Sequence, residues 1–286
     1  MIPAVRPSTP AERAELAGQG VKLGEHGTAY VLGPIDGVGA VAVVADRAFE
    51  SEMLGLPTRH VDDIRGVPPG SKLPATLVGA LLNALEAEGS RLVTCRRPES
   101  DRSTLTALQS GGFRVIECLL TLARPLDRDV PPKPIDVSLA SAADADGCSA
   151  IGAAAFRHDR FHADPAIDDR RANALKAAWA RNSTMGRADA VFVTRTGGSV
   201  TGFNACLLRG DTAIIDLIGV APQHQGRGLG RALVAAALAH YAGRAKRMLV
   251  GTQSCNFESL ALYQGQGFRI ESSALTLHAR VGHWAP

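Results

Sequence analysis

The residues of most chemical promise are Gln225, Gly226, Arg227, Gly228, Leu229, Gly230 and Arg231, within VAPQHQGRGLGRAL (Val220 to Leu233). They form a Q-x-x-G-x-G pattern. An apolar run, TAIIDLIGV (Thr212 to Val220), precedes it, and an alanine-rich run, RALVAAALAHYA (Arg231 to Ala242), follows. That order predicts a strand, a glycine turn and a helix. The first N–H groups of a helix have no internal partner, and the helix dipole adds roughly half a positive charge there. Glycines let the backbone approach closely and adopt conformations a Cβ forbids. Such a turn can cradle a phosphate or pyrophosphate. A nucleotide-triphosphatase loop would end in Gly-Lys-Ser/Thr, and no lysine follows Gly230. A dinucleotide fingerprint would space its glycines differently and place an acid about twenty residues on, where this chain has MLVG. A third kind of phosphate-holding turn and a tight strand–helix connection with no ligand remain.

The stretch KRMLVGTQSCNFESLALYQGQGFRI (Lys246 to Ile270) decides between them. Met248 to Gly251 reads as a buried strand. Asn256 precedes a helical segment to Gln264, and Gly267-Phe268 turns into another strand. Asn256, Ser259 and Tyr263 fall on one helix face. With both motifs in view, the chain resembles the GNAT acyltransferase superfamily. That family has a strand ending in Val, then R/Q-x-x-G-x-G/A and a helix; Asn, a small polar residue, Tyr and Gly-Phe follow in order. Val220, Gln225, Gly228 and Gly230 match the first motif, and Asn256, Ser259, Tyr263 and Gly267-Phe268 the second.

The resemblance implies acyl transfer from a coenzyme A thioester, with acetyl-CoA as co-substrate, to a primary amine by direct attack. The reaction needs the thioester held beside a neutral amine, a donor for the tetrahedral oxyanion, and a proton for the departing thiolate. Residues 225–231 are expected to grip the pyrophosphate, with Arg227 and Arg231 adding charge. A backbone N–H among Ile218, Gly219 and Val220 is expected to serve the oxyanion. Asn256 and Ser259 are placed on the pantetheine arm, although asparagine also favours a helix N-cap. Tyr263 is the candidate acid: a phenol of pKa about 10 stays protonated beside a thiol of about 8.5. Asp216, inside an apolar strand, is the candidate base. A carboxylate there is costly unless paired, so it is a pocket residue or a solvent-facing one. RHDRFHADP (Arg157 to Pro165) is a second candidate group.

Within the superfamily the second half resembles the TDP-fucosamine acetyltransferase-like branch, through RFHADP, WARNS, DLIGV and VGTQSCN. This implies a nucleotide-linked amino sugar as acceptor, with Arg160, His162, Asp164, Thr252 and Gln253 lining its pocket. Another small amine, or a coenzyme A-binding regulator without turnover, are the alternatives. The segment RHDRFHADP is also readable as a polar loop. Its His-x-Asp spacing lacks the further ligands of a metal site, so no metal is expected.

The elements that must position these groups fit a chain of 286 residues with 45% apolar content, long enough for two modest domains. The expected fold is α/β (α+β): two tandem GNAT-like domains, each a mixed central sheet flanked by helices. The first domain, 1–130, is degenerate; the second, 131–286, is catalytic; Ala123 to Val137 is the linker. SRLVTCRRPESDRSTLTALQSGGFRVIECLLTLAR (Ser90 to Arg124) parallels Lys246 to Arg280 at an offset of 155 residues. There Tyr263 falls on Leu108 and Asn256 on Asp101, and the glycine turn has no counterpart. The first domain then completes the sheet, walls the acceptor pocket or forms a homodimer surface. A net charge of +3 without a basic block, and few aromatics, argue against nucleic acid. Five dispersed cysteines fit reduced thiols in a cytoplasm, with Cys255 read as a small packed residue. No secretory signal or membrane span is expected.

Overall fold

A computed structural model describes residues 4–18, 27–35, 37–126 and 136–282. Its elements are, in chain order, β1 (Val5–Pro7), α1 (Pro10–Gly18), β2 (Gly27–Ile35), β3 (Val38–Asp46), α2 (Ala48–Leu54), β4 (Thr58–Val67), α3 (Ala75–Ala87), β5 (Leu92–Pro98), α4 (Arg102–Ser110) and β6 (Arg114–Pro125). Then come β7 (Val137–Leu139), α5 (Ala145–Ala155), α6 (Arg160–Ala163), α7 (Asp169–Asn182), β8 (Ala190–Thr196), β9 (Ser199–Arg209), β10 (Thr212–Val220), α8 (Leu229–Tyr241), β11 (Arg247–Gln253), α9 (Phe257–Gln264) and β12 (Arg269–Arg280). No described helix is long and apolar enough to cross a membrane.

The chain divides into two compact units. One holds the chain to Cys118 together with the stretch from Ala274; the other is Leu119–Ser273. This division departs from the expected 130/131 boundary. The reason is strand pairing: β6 bonds antiparallel to β11 from Leu119 to Pro125, and β12 bonds antiparallel to β5 from Ala274 to Arg280. The last strand of each repeat therefore lies in the other repeat's ladder. Of the expected linker, Ala123 to Pro125 continue β6 and Val137 begins β7, while residues 127–135 lie outside the described set.

The repeat is plain in the elements. β5 and β11, α4 and α9, and β6 and β12 each begin 155 residues apart. β4 runs parallel to β5 for four residue pairs, Thr58↔Leu92 to Val61↔Cys95, just as β10 runs parallel to β11 from Thr212↔Arg247 to Ile215↔Val250. Both β4 and β10 carry a bulge against their antiparallel neighbour, with Asp62 and Asp216 as the extra residues. In the first unit, Leu77, Leu81 and Leu85 of α3 and Phe113 pack on Val61, Val93 and Leu277. In the second, Leu233, Ala237 and Tyr241 of α8 pack with Ile215, Val250 and Phe268 on one sheet face. Ile151 of α5 and Ala180 of α7 cover Phe203 and Leu217 on the other.

Candidate active site

The second unit builds a cleft where β10 leaves β11. Residues of β10 alternate between partly exposed and buried along the strand, the period of a pleated ribbon. Its parallel pairing with β11 ends at Ile215, next to the bulge, while its antiparallel pairing with β9 continues to Val220. Beyond Ile215 the main-chain groups on the β11 side are released from the ladder. Ile218, Gly219 and Val220 line the cleft there. Gly219 has no room for a side chain: a Cβ would stand 3.2 Å from Ile151 and 3.5 Å from Ala155.

The turn into α8 forms the second wall. Gly226 and Gly228 have φ of +73° and +80°, and nothing lies within 4 Å of the space a Cβ would take. Gly228 caps α8 in the left-handed conformation with no side-chain cap bond. The N–H groups of Leu229, Gly230 and Arg231, the first helical turn, so lack the usual side-chain acceptor. The Gln225 side chain donates to the Val220 carbonyl oxygen at 3.1 Å, bracing the loop against the strand end. Gln225, Gly226, Gly228, Leu229 and Gly230 line the cleft; Arg227 and Arg231 are exposed beside the loop and outside the lining.

Helix α9 closes the cleft. Asn256 is its N-cap, its Oδ1 accepting the Ser259 N–H at 3.2 Å. Asn256, Ser259 and Tyr263 all face the cleft. Tyr263 is 3% exposed, and its ring lies 5.9 Å from that of Phe268. Burial raises its phenol above the usual tyrosine range, so it is a proton donor at neutral pH. The cleft holds about 490 Å³. Arg157 and His158, just after α5, also line it, as do His224 and Glu258. Of these, Arg157 and His158 open the RHDRFHADP segment read from the sequence; His224 and Glu258 carry no such signal, because residues far apart in the chain meet only through packing. Cys255 is exposed rather than packed.

The proposed base and acceptor residues stand elsewhere. Asp216 is not in the lining. Its carboxylate accepts from Trp179 Nε1 at 3.0 Å and from Arg187 at 2.5 Å, so the apolar strand carries it as a paired charge. Neither Arg160, His162 nor Asp164 reaches the cleft. His162 Nδ1 meets Asp159 at 2.8 Å and Nε2 meets Asn173 at 3.0 Å, with its side chain 4% exposed. Lys176 Nζ joins Asp159 at 3.6 Å. Asp164 is buried, accepting the Ala166 N–H at 3.1 Å, and Arg160 lies 4.5 Å over the Phe161 ring. Thr252 is buried opposite Leu120, and Gln253 offers its carbonyl oxygen to the Asn256 N–H. Neither lines the cleft. Among the described residues no group of three or more His, Cys, Asp or Glu could hold a metal.

The His162 cluster makes stability depend on pH. Burial raises Asp159, but the His162 hydrogen bond, with Lys176 and the Phe161 N–H, outweighs it and holds the carboxyl at about 2. Burial lowers His162, but its bonds to Asp159 and Asn173 outweigh that and raise it. The Asp159 contribution is present above its unfolded pKa of about 3.9 and is lost as pH falls through about 2. The His162 contribution is complete below about 6.5 and is lost as pH rises through its raised folded value. Stability from this pair peaks between about pH 4 and 6.5. His162→Ala leaves Asp159 and Lys176 buried with one partner fewer and is expected to cost about 3 kcal/mol. Urea melts at pH 5 and 8 check this: the wild-type advantage shrinks at pH 8.

Residues 144–268 match the family model described as Acetyltransferase (GNAT) family. Within residues 144–268 the chain carries a GNAT acetyltransferase domain, and its named relatives support an acetyl-CoA-dependent N-acetyltransferase. Among curated proteins it is 29% identical to the spore coat polysaccharide biosynthesis protein SpsD of Bacillus subtilis (strain 168), over 85% of this chain and 84% of that one. It is 35% identical to mycothiol acetyltransferase of Streptomyces bingchenggensis (strain BCW-1), over 27% of this chain and 26% of that one. Two solved structures share its fold. A GCN5-related N-acetyltransferase from Sphaerobacter thermophilus has a TM-score of 0.61 at 16% identity, covering 99% and 98% of the two chains. A tandem GNAT protein from the clavulanic acid biosynthesis pathway has 0.57 at 16%, covering 98% and 90%.

Proposed function

We propose that the enzyme acetylates the amino group of an amino sugar, carried on a nucleotide, and that its chemistry lies in the second unit alone. One observation carries the reading: released β10 amides, an uncapped helix N-terminus and a protonated tyrosine converge on one cleft. The residues fit the acetyl donor. Open space at Gly226 and Gly228 leaves room for a diphosphate against the amides of residues 226–231. When bound, acetyl-CoA supplies the activated acetyl group. Amides among Ile218, Gly219 and Val220 hold the carbonyl oxygen as charge develops on it. Asn256 and Ser259 align the pantetheine arm, and Tyr263 gives its proton to the leaving sulfur. Asp216 takes the proton of the incoming ammonium.

The name of SpsD, a polysaccharide biosynthesis protein, supports a sugar acceptor. The likeness to mycothiol acetyltransferase keeps a second reading, N-acetylation of another small amine. In the first unit, Leu108 replaces the tyrosine and Pro74, which has no N–H, caps α3 where Gly228 caps α8. There Arg97 bridges Asp63 at 3.0 Å and Asp101 at 2.9 Å, tying β4, β5 and α4 together. That is a structural arrangement, with no cradle.

A thiol-release assay across amino sugars, nucleotide amino sugars, polyamines and amino acids tests the acceptor. Nucleotide amino sugars are expected to give the highest kcat/KM. Turnover on simple amines alone would move the assignment to the second reading, and donor binding without turnover on any amine would leave a regulator.

A further inference from the structure

We propose that Arg187 reads a phosphate on the acceptor and, by turning to it, releases Asp216 to take the amine proton. The inference rests on the acetyl-transfer reading of the cleft. Asp216 is the bulged residue of β10, two positions before Ile218 in the cleft lining. Its side chain is 14% exposed, and that of Arg187 is 40% exposed. As the structure stands, Oδ2 accepts from Trp179 Nε1 at 3.0 Å and from Arg187 at 2.5 Å, and Oδ1 accepts from the second guanidinium nitrogen at 3.5 Å. Both carboxylate oxygens are thus engaged before any acceptor arrives.

Arg187 is held for exchange rather than buried. Its guanidinium lies 5.2 Å over the Trp179 ring, and one nitrogen also reaches Ser183 Oγ at 3.3 Å. A guanidinium has five N–H donors, and three hydrogen bonds, to Ser183 and the two Asp216 oxygens, occupy part of that set. The pair is exposed on the Arg187 side and largely covered on the Asp216 side, so the guanidinium is the partner that solvent and solutes can reach. A two-point bond from guanidinium to phosphate is among the stronger charge-assisted contacts. The Arg187–Asp216 pair is therefore the complement of an acceptor that bears both an ammonium and a phosphate. When such a molecule arrives, phosphate takes Arg187 and ammonium takes Asp216, and no charge is left unpaired. An amine without an anion cannot make that exchange and must compete with Arg187 for the carboxylate. One ammonium proton passes to Asp216. The neutral amine then forms its N–C bond as the C–S bond breaks, and the sulfur leaves as thiol with the Tyr263 proton. The acylated nitrogen loses its second proton as the amide forms, that proton passes through water to the Tyr263 phenolate, and Asp216 returns its own to water.

The test compares glucosamine, glucosamine 1-phosphate and UDP-glucosamine as acceptors for wild type, Arg187→Gln and Arg187→Lys. A parallel calorimetric titration of pyrophosphate and of UDP uses protein saturated with coenzyme A, so that the α8 cradle is filled. Wild type is expected to bind pyrophosphate, and Arg187→Gln to bind it at least 10-fold more weakly. Where the sugars turn over, the kcat/KM preference for phosphorylated acceptors over glucosamine should fall at least 10-fold in Arg187→Gln, mostly through KM. Arg187→Lys, which keeps the charge without the fork, should fall between. UDP binding tighter than pyrophosphate would assign the anion to a nucleotide; equal binding would assign it to the phosphates alone. A wild-type protein that ignores pyrophosphate, or a loss equal on all three acceptors, overturns the proposal. Failure of wild type to bind coenzyme A would instead sink the reading of the cleft itself.

Discussion

Replacing Tyr263 by phenylalanine is expected to lower kcat by about 100-fold or more, the upper range for a placed proton donor, with coenzyme A affinity nearly unchanged. The substitution removes one oxygen and keeps the ring against Phe268, where its centroid lies 5.9 Å away. Tyr263 is 3% exposed, so the ring is fixed by packing and the fold should tolerate the change. The raised phenol holds its proton through neutral pH, so the loss reports donation to sulfur, not a charge on the ring. Donors with a more acidic leaving thiol need that proton less and should narrow the gap between variant and wild type. Steady-state kinetics with acetyl-CoA and such a donor, beside calorimetry with coenzyme A, separate the effects. An unchanged kcat takes Tyr263 out of the mechanism.

Gly228→Val is expected to weaken coenzyme A binding by at least about 100-fold, two to three kcal/mol, and to leave the protein folded. At φ +80° an L side chain costs about 1–2 kcal/mol, and a β-branched one strains most. No protein atom lies within 4 Å of the new Cβ, so the side chain projects into the cradle and displaces no core residue. Gly210→Val is the control: at φ +58° with nothing within 4 Å of its Cβ it carries a like backbone strain outside the cleft lining. A thermal melt lowered by a few degrees with binding abolished is the expected pair of results for Gly228→Val. Retained affinity would contradict the cradle.

Local rules made much of the catalytic wall legible. The glycines of the Q-x-x-G-x-G turn, the alanine-rich helix after it and the Asn256 cap act over a few residues. The expected strand, turn and helix became β10, the Gly226–Gly228 loop and α8. Asn256, Ser259 and Tyr263 share one face because a helix repeats every 3.6 residues, and all three line the cleft. The RHDRFHADP segment shows the limit. The resemblance placed it in a pocket, yet His162 turns inward to Asn173, 11 residues on, and Asp159 to Lys176, 17 residues on. Asp216 was legible as an anomaly in an apolar strand, but its partners Trp179 and Arg187 lie 37 and 29 residues away.

The sequence alone determined the glycine turn and the shared helix face, because these are set by φ preferences and short periodicities, and the family resemblance implied the acyl-transfer chemistry. The tertiary structure decided which charges face solvent and which pair inside. It also decided which ladder each terminal strand joins. β6 and β12 both begin at an arginine and share Leu-Thr-Leu, at 120–122 and 275–277, so their local sequence does not tell which ladder each joins. Only the completed hydrogen-bond ladders, Leu119–Pro125 on β11 and Ala274–Arg280 on β5, select the exchange. Such choices depend on packing between segments far apart in the chain, where nearest-neighbour preferences carry no information.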